Sequence, residues 1–358
     1  MLSHGFTKVN QINGTKKISD ILLHVYSPAG LIQAAGYLKY QLGRKNSGLV
    51  FRGQSDLYEN KLKPSLYREI KTPQSVTLKQ EDLCNIITQS ENDFSKTFEQ
   101  YSGVKPQFVR PLLQHYGLKT EWLDVVDNIW IALWFACYEA LSVKNVPYMI
   151  LRRRSEKSEK IGIMESLEKL GNDCCCRYSE LRDVKNEKSA IVETDYTPQK
   201  YKRKIAELKR RECNLDKEIE KLEEEKNKLN SKLEDNSYAY ILMVRYPGNL
   251  GECYGIWKDR NTELYDLRYC LPSTFLRPHA QHGMVIRKLS NSGRSTSLDY
   301  STLLEGVLRI DLNDALSWLG DSILLSPGTL FPSPVNDHGL QQLLKSKTLR
   351  PYLQISTP

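Results

Sequence analysis

Between Arg152 and Asn236 the chain changes character. This stretch holds 22 basic and 20 acidic residues, 42 of the 94 charged residues in a 358-residue sequence, at a net charge of +2. Both signs are interleaved, the pattern of a solvated helix rather than of a tract for polyanions. Inside it, Ile205, Leu208, Leu215, Ile219, Leu222, Leu229 and Leu233 recur at three-four spacing, which predicts a coiled coil. Glu212 and Lys226 fall on its seam and weaken it, and one long helix lying on a domain surface is the other reading. Buried-strand patterns stand on both sides, Pro147–Leu151 before and Tyr238–Val244 after. A charged helical segment between two such strands splits one domain rather than separating two. The expected boundaries are 1–151, 152–236 and 237–358.

The flanking parts alternate helix and strand signals. Ile18, Ile21, Leu22 and Val25 form a helix-spaced stripe, and Leu31, Ala34, Ala35 and Leu38 form a second, with Pro28-Ala29-Gly30 as a break between them. A strand is expected at 48–52. An amphipathic helix over 78–100 has Leu83, Ile86, Ile87, Phe94 and Phe98 as its apolar face, and another helix over 105–116 carries Phe108, Leu112 and Leu113. A strand is expected across Trp122–Val126. Asp127-Asn128 is an N-cap signal for a buried helix through Tyr138. Short strands are expected at 284–286 and 306–310, followed by a helix over 311–319 capped by Asp311 or Asn313.

Composition excludes several classes. No apolar run approaches the ~18–20 residues of a membrane span, and the N-terminal residues lack the apolar stretch of a secretory signal. The eight cysteines show no framework spacing, so reduced thiols and a cytoplasmic setting are expected. Cys174-Cys175-Cys176 invites a metal reading, but adjacent cysteines point in different directions and no metal site is expected. A formal charge of +8 is mildly basic and is not the stripe of a dedicated nucleic-acid binder.

The segment Phe51-Arg52-Gly53-Gln54 ends a short strand signal. Arginine brings a planar fork suited to phosphate or carboxylate, and glycine permits close approach of a ligand. Taken alone, Arg-Gly at a strand end serves a structural role as readily. Two further segments add to it. One is Gln114-His115-Tyr116-Gly117-Leu118-Lys119-Thr120-Glu121-Trp122-Leu123-Asp124, and the other is Phe275–Met284, containing His279-Ala280-Gln281-His282-Gly283. With Leu62–Arg68 and Leu330-Phe331-Pro332, these resemble the FRG domain family, in an order and spacing covering roughly residues 20–345 outside the insertion.

That resemblance implies an α+β fold, distantly similar to the ADP-ribosyltransferase fold. It has a split mixed β-sheet with surrounding helices, here with an inserted helical coiled-coil segment. It implies an NAD cleft with Arg52, Thr120 on a Thr120–Asp124 strand and Gln281 as catalytic positions, to which the chemistry of the reaction adds Asp124 as a fourth. Arg52, Gly53, Gln54, His115 and Tyr116 are the implied NAD-binding positions. The implied partner is a macromolecular acceptor, protein or nucleic acid, and the implied setting is a bacterial toxin or anti-phage effector. The family has Trp-Thr after Leu-Asp, where this chain has Val125-Val126.

The chemistry of these residues stands beside the resemblance. Tyr116 can stack on nicotinamide. Cleavage of the nicotinamide–ribose bond builds an oxocarbenium-like sugar, which a hydrogen bond to the 2′-hydroxyl and a nearby negative charge stabilise. Gln281 can supply the first and Asp124 the second, although Asp124 serves equally well as a helix cap. His115 orients a loop or acts as a base. His279 and His282 lack a third metal ligand. Lys61, Lys63 and Arg68 form a basic rim or are simply solvated. The rival reading is a nucleotide- or phosphate-binding module without turnover, with the coiled coil as a signalling or homo-oligomerising arm. No other enzyme signature is present.

Overall fold

A computed structural model describes residues 6–8, 21–57, 61–68, 73–142, 148–154, 156–191, 197–235, 237–248, 254–289 and 299–356. The strands are β1 Phe6–Lys8, β2 Leu22–Val25, β3 Ser47–Gln54, β4 Leu123–Val126, β5 Tyr138–Ser142 and β6 Tyr148–Arg153, then β7 Tyr238–Pro247, β8 Ile256–Lys258, β9 Thr262–Asp266, β10 Gly283–Lys288, β11 Leu304–Asp311 and β12 Ile355–Ser356. The helices are α1 Pro28–Gly43, α2 Pro73–Phe94, α3 Phe98–Ser102, α4 Pro106–His115, α5 Ile129–Cys137 and α6 Glu156–Ala190, then α7 Pro198–Asp235, α8 Leu267–Cys270, α9 Leu276–Ala280, α10 Leu312–Leu319, α11 Pro327–Leu330 and α12 His338–Leu343.

The fold is α+β, built on a large mixed sheet in the order β1-β2-β11-β7-β3-β4-β10-β9-β8, with a smaller sheet β12-β6-β5 beside it. β2 runs parallel to β11, and the other neighbours in the large sheet are antiparallel. The narrowest junction lies in the middle. β3 is in register with β7 along Ser47–Gln54, but it meets β4 where Phe51 faces Val126 and at no other described pair. Beyond that pair the two strands diverge, and the gap between them becomes the mouth of a cleft.

One face of the sheet packs against α1, α5 and α10 through Leu31, Phe51, Leu133, Trp134 and Leu312. The other face buries Val50, Val125, Leu242 and Val307. The glycine after Arg52 belongs to the first of these contacts. A Cβ on Gly53 would lie 1.8 Å from the Ala132 carbonyl oxygen, so α5 can rest on β3 only above a glycine. The close approach expected of a ligand is made by the protein's own helix.

Three local expectations change. Leu22–Val25 is a strand and not the end of a helix, because a short apolar run fits both periods and β11 offers it a parallel partner. Ile18 lies outside the described residues. Pro28 is not a break but the first residue of α1, where its missing N–H is harmless, and Ser27 caps the helix by accepting from Gly30 N at 3.1 Å. The apolar face expected over 78–100 is divided between α2 and α3 by Ser95, at φ 54°, and by a capping box from Thr97 to Gln100.

Ser155–Ser237 forms a compact unit by itself, and the chain up to Arg154 and from Tyr238 forms the other. In the inserted unit α6 and α7 pack side by side. Lys188 pairs with Glu212 at 2.6 Å and Lys204 with Glu187 at 3.0 Å, while Arg177 reaches Glu218 and Tyr178 reaches Glu223. The later residues of α6 meet the earlier residues of α7, so the pair is antiparallel. Its apolar seam holds Leu181, Val184, Leu208, Leu215 and Ile219. Glu212, which interrupts the heptad, is the residue that Lys188 neutralises. Cys174 is buried on α6, whereas Cys175 and Cys176 are exposed. Among the described residues no helix is long and apolar enough to cross a membrane, and no cluster of His, Cys, Asp and Glu is arranged to hold a metal.

Candidate functional site

Where β3 and β4 part, a cleft of about 390 Å³ opens. Arg52, Gly53, His115, Asp124 and Gln281 all line it, although they come from widely separated parts of the chain. Arg52 points across the gap. Its Nη1 donates to the main-chain oxygen of Asp124 at 2.6 Å, bridging the two strands where ladder pairing has ended. Part of the arginine fork is therefore spent on holding the cleft open at a set width.

The Asp124 carboxylate is held from two sides. Gln114 Nε2 donates to its Oδ2 at 2.7 Å, and His115 Nδ1 stands 3.3 Å from its Oδ1. The side chain keeps 35% of its exposure, which leaves the carboxylate open to the cleft. Burial acts to raise its pKa. The His115 hydrogen bond and field, Arg52 and the Gln114 amide outweigh that and hold the carboxyl below the usual carboxylate range. Asp124 does not cap α5. Asn128 does, accepting from Trp130 N at 2.9 Å and from Ile131 N at 3.4 Å. Asp127, the other cap candidate, is bound to Arg268 at 2.6 Å and to His282 at 2.9 Å.

Other expected site residues are placed differently. Thr120 is not on a strand and does not line the cleft. It is fully buried before β4, and its N and Oγ1 both donate to Gln114 Oε1, at 2.9 and 2.8 Å. Tyr116 is also fully buried, and its hydroxyl donates to Asp337 at 2.6 Å. Burial, then the Asp337 charge, push that hydroxyl well above its ordinary pKa, and the ring is not available to stack on a ligand. Gln54 is buried at the end of β3 opposite Tyr240 and is not a lining residue. Gln281 lines the cleft from the C-cap of α9 rather than from a strand, and its Nε2 donates to the Leu330 carbonyl at 2.7 Å. His279 lies on α9, and His282 lies in the turn after it at φ 50°.

The remaining walls come from residues outside the expected catalytic and NAD-binding positions, and they include Arg68 of the expected basic rim. Ser65 and Arg68 arrive on the short turn after Leu62, which is anchored by Asp299 and Ser301. Lys61 and Lys63 are not lining residues, and Lys119 takes their place in the basic rim. Phe51, Phe135 and Phe331 form an apolar wall. Behind it Arg277, fully buried, stacks between Tyr116 and Phe331 at 4.6 and 5.1 Å and donates to the Gln354 carbonyl at 2.6 Å. Burial lowers its pKa from the ordinary value. The sequence signal for Gln114 was its place beside His115 and six residues before Thr120. Its role became visible only when a loop folded back to bring that threonine against it.

No curated protein and no solved structure matches the chain. Gln281 and Phe331 lie outside the stretch that matches a family model. That stretch, residues 47–145, supplies Arg52, Gln114, His115 and Asp124, and it matches the family model of the FRG domain.

Proposed function

We propose that the cleft binds NAD and that the chain is an ADP-ribosyltransferase acting on a macromolecule. The observation that supports this reading is the meeting of Arg52, His115, Asp124 and Gln281 around one cleft. Its volume suits a small-molecule site, for which ~300–1,000 Å³ is usual. Arg52, Arg68 and Lys119 are cationic donors fit for a diphosphate, and Phe135 and Phe331 offer an apolar wall for a flat ring. In the reaction, the bond between nicotinamide nitrogen and ribose C1′ breaks and its electron pair leaves on nicotinamide. An acceptor nucleophile then bonds to C1′ and gives up its proton. Asp124 is the fixed negative group that favours the positive charge developing on the sugar. A toxin or anti-phage setting rests on family resemblance alone.

A binding module without turnover is the second reading, and one observation favours it. The Gln281 amide is already committed to the Leu330 carbonyl, and a glutamine adds no charge to the cleft. Free nicotinamide released from NAD by purified protein, with and without cell lysate as acceptor, separates the two. Release that Asp124→Asn abolishes supports the transferase. NAD binding without release supports the module. An absence of NAD binding by calorimetry removes the transferase and leaves a module for a different nucleotide or phosphate ligand.

A further inference from the structure

The Asp124 carboxylate is held by groups that themselves need holding. Gln114 can present either its oxygen or its nitrogen to Asp124, since the two ends of an amide are alike in shape. Thr120 decides which. Its backbone N–H and its hydroxyl both converge on one Gln114 atom, which must then be the acceptor oxygen. The hydroxyl itself accepts from Trp122 N at 3.1 Å, so its hydrogen is directed at Gln114. The Gln114 nitrogen is thereby turned toward Asp124.

On the other side, His115 is clamped by a glycine. A Cβ on Gly283 would lie 2.6 Å from His115 Cε1 and 2.7 Å from Nε2. Nε2 is buried and has no hydrogen-bond partner among the described residues. A proton on Nδ1 accounts for the contact with Asp124, to which it donates, whereas an imidazole protonated on Nε2 alone would set a lone pair against a carboxylate. Gly283 itself sits on β10 opposite Val126, next to the strand that carries Asp124.

We propose that Gln114, His115 and Gly283 are positioning residues that hold the Asp124 carboxylate in one orientation facing the cleft, with Thr120 setting the direction of the Gln114 amide. What the carboxylate acts on rests on the NAD reading, while the way it is held does not.

The test is a carbon-13 NMR titration of the full chain labelled at aspartate carboxyls, with the Asp124 signal identified by its loss in Asp124→Asn. Thr120→Val keeps the shape of the side chain and removes the hydroxyl, and it raises the Asp124 midpoint. Thr120→Ser restores the wild-type value. Gln114→Glu sets a second carboxylate against the first and raises the midpoint by about one pH unit or more. Gly283→Ala displaces His115 and raises it as well. Should Gly283→Ala not fold, the two Thr120 variants carry the test alone. Wild-type midpoints in both Thr120→Val and Gln114→Glu overturn the positioning roles. Calorimetry with NAD on the same samples keeps the two questions apart. Shifted midpoints without NAD binding leave the positioning intact and remove the NAD reading. NAD binding with unshifted midpoints does the reverse.

Discussion

Arg52 and Asp124 meet because β3 and β4 stop pairing after Phe51 and Val126. The guanidinium then bridges the gap through Nη1, and its charge helps hold the Asp124 carboxyl down. Arg52→Lys is expected to weaken NAD binding about tenfold, and Arg52→Ala more, as calorimetry would register; equal affinities would remove Arg52 from the site. Asp124 has its own pH signature. Its carboxyl is depressed in the folded state, so the unfolded chain binds the proton more readily and stability rises with pH across that window. The contribution is complete above the ordinary carboxylate value, about 3.9, and is lost as pH falls through the lower folded value. Asp124→Asn should therefore flatten the acid limb of the melting temperature against pH and leave the neutral range unchanged in slope. At this scale the residue types were readable but their directions were not. Tyr116 and Thr120 carry ligand-like chemistry, yet Asp337 and Gln114, 221 and 6 residues away, consume it.

Elements dock where glycines let them. Gly53→Ala would force α5 off β3, and a loss of about 3 kcal/mol in unfolding free energy is expected from urea titration. Were the variant as stable as wild type, α5 would not lie where it is described. In the inserted hairpin, Ile219 lies in the seam between α6 and α7. Ile219→Asp buries an unpaired charge and should cost the hairpin about 3 kcal/mol, seen as an early loss of helical circular dichroism. The sedimenting mass should not change, because the face of α7 is covered by α6 of the same chain. A fall in mass would place its partner in another subunit. The heptad was legible because it is local. Its partner was not, since the apolar residues of α6 do not gather into one stripe.

For the whole molecule, the insertion enters and leaves at one place. Arg154 Nη1 donates to the Tyr238 carbonyl at 3.0 Å, so the residues on either side of Ser155–Ser237 are neighbours. Replacing that segment with a short Gly-Ser linker should leave the rest of the chain folded, with a cooperative melt and unchanged NAD affinity, because a short loop closes at small entropic cost. Loss of the cooperative transition would show that the sheet needs the hairpin. The sequence by itself determined the α+β character, a charged helical stretch between two strand signals, and a pair of candidates for each of two helix caps, Asp127 or Asn128 for α5 and Asp311 or Asn313 for α10. Those follow from periodicity, charge and local hydrogen bonding, all of which act within a few residues. Only the tertiary structure decided that the cleft opens between β3 and β4, that Gly53 admits a helix, that Gln114 rather than Thr120 touches Asp124, and that Gln281 comes from a helix end. Each of these depends on strand register and close packing between segments far apart in the chain, and no local pattern records such distances.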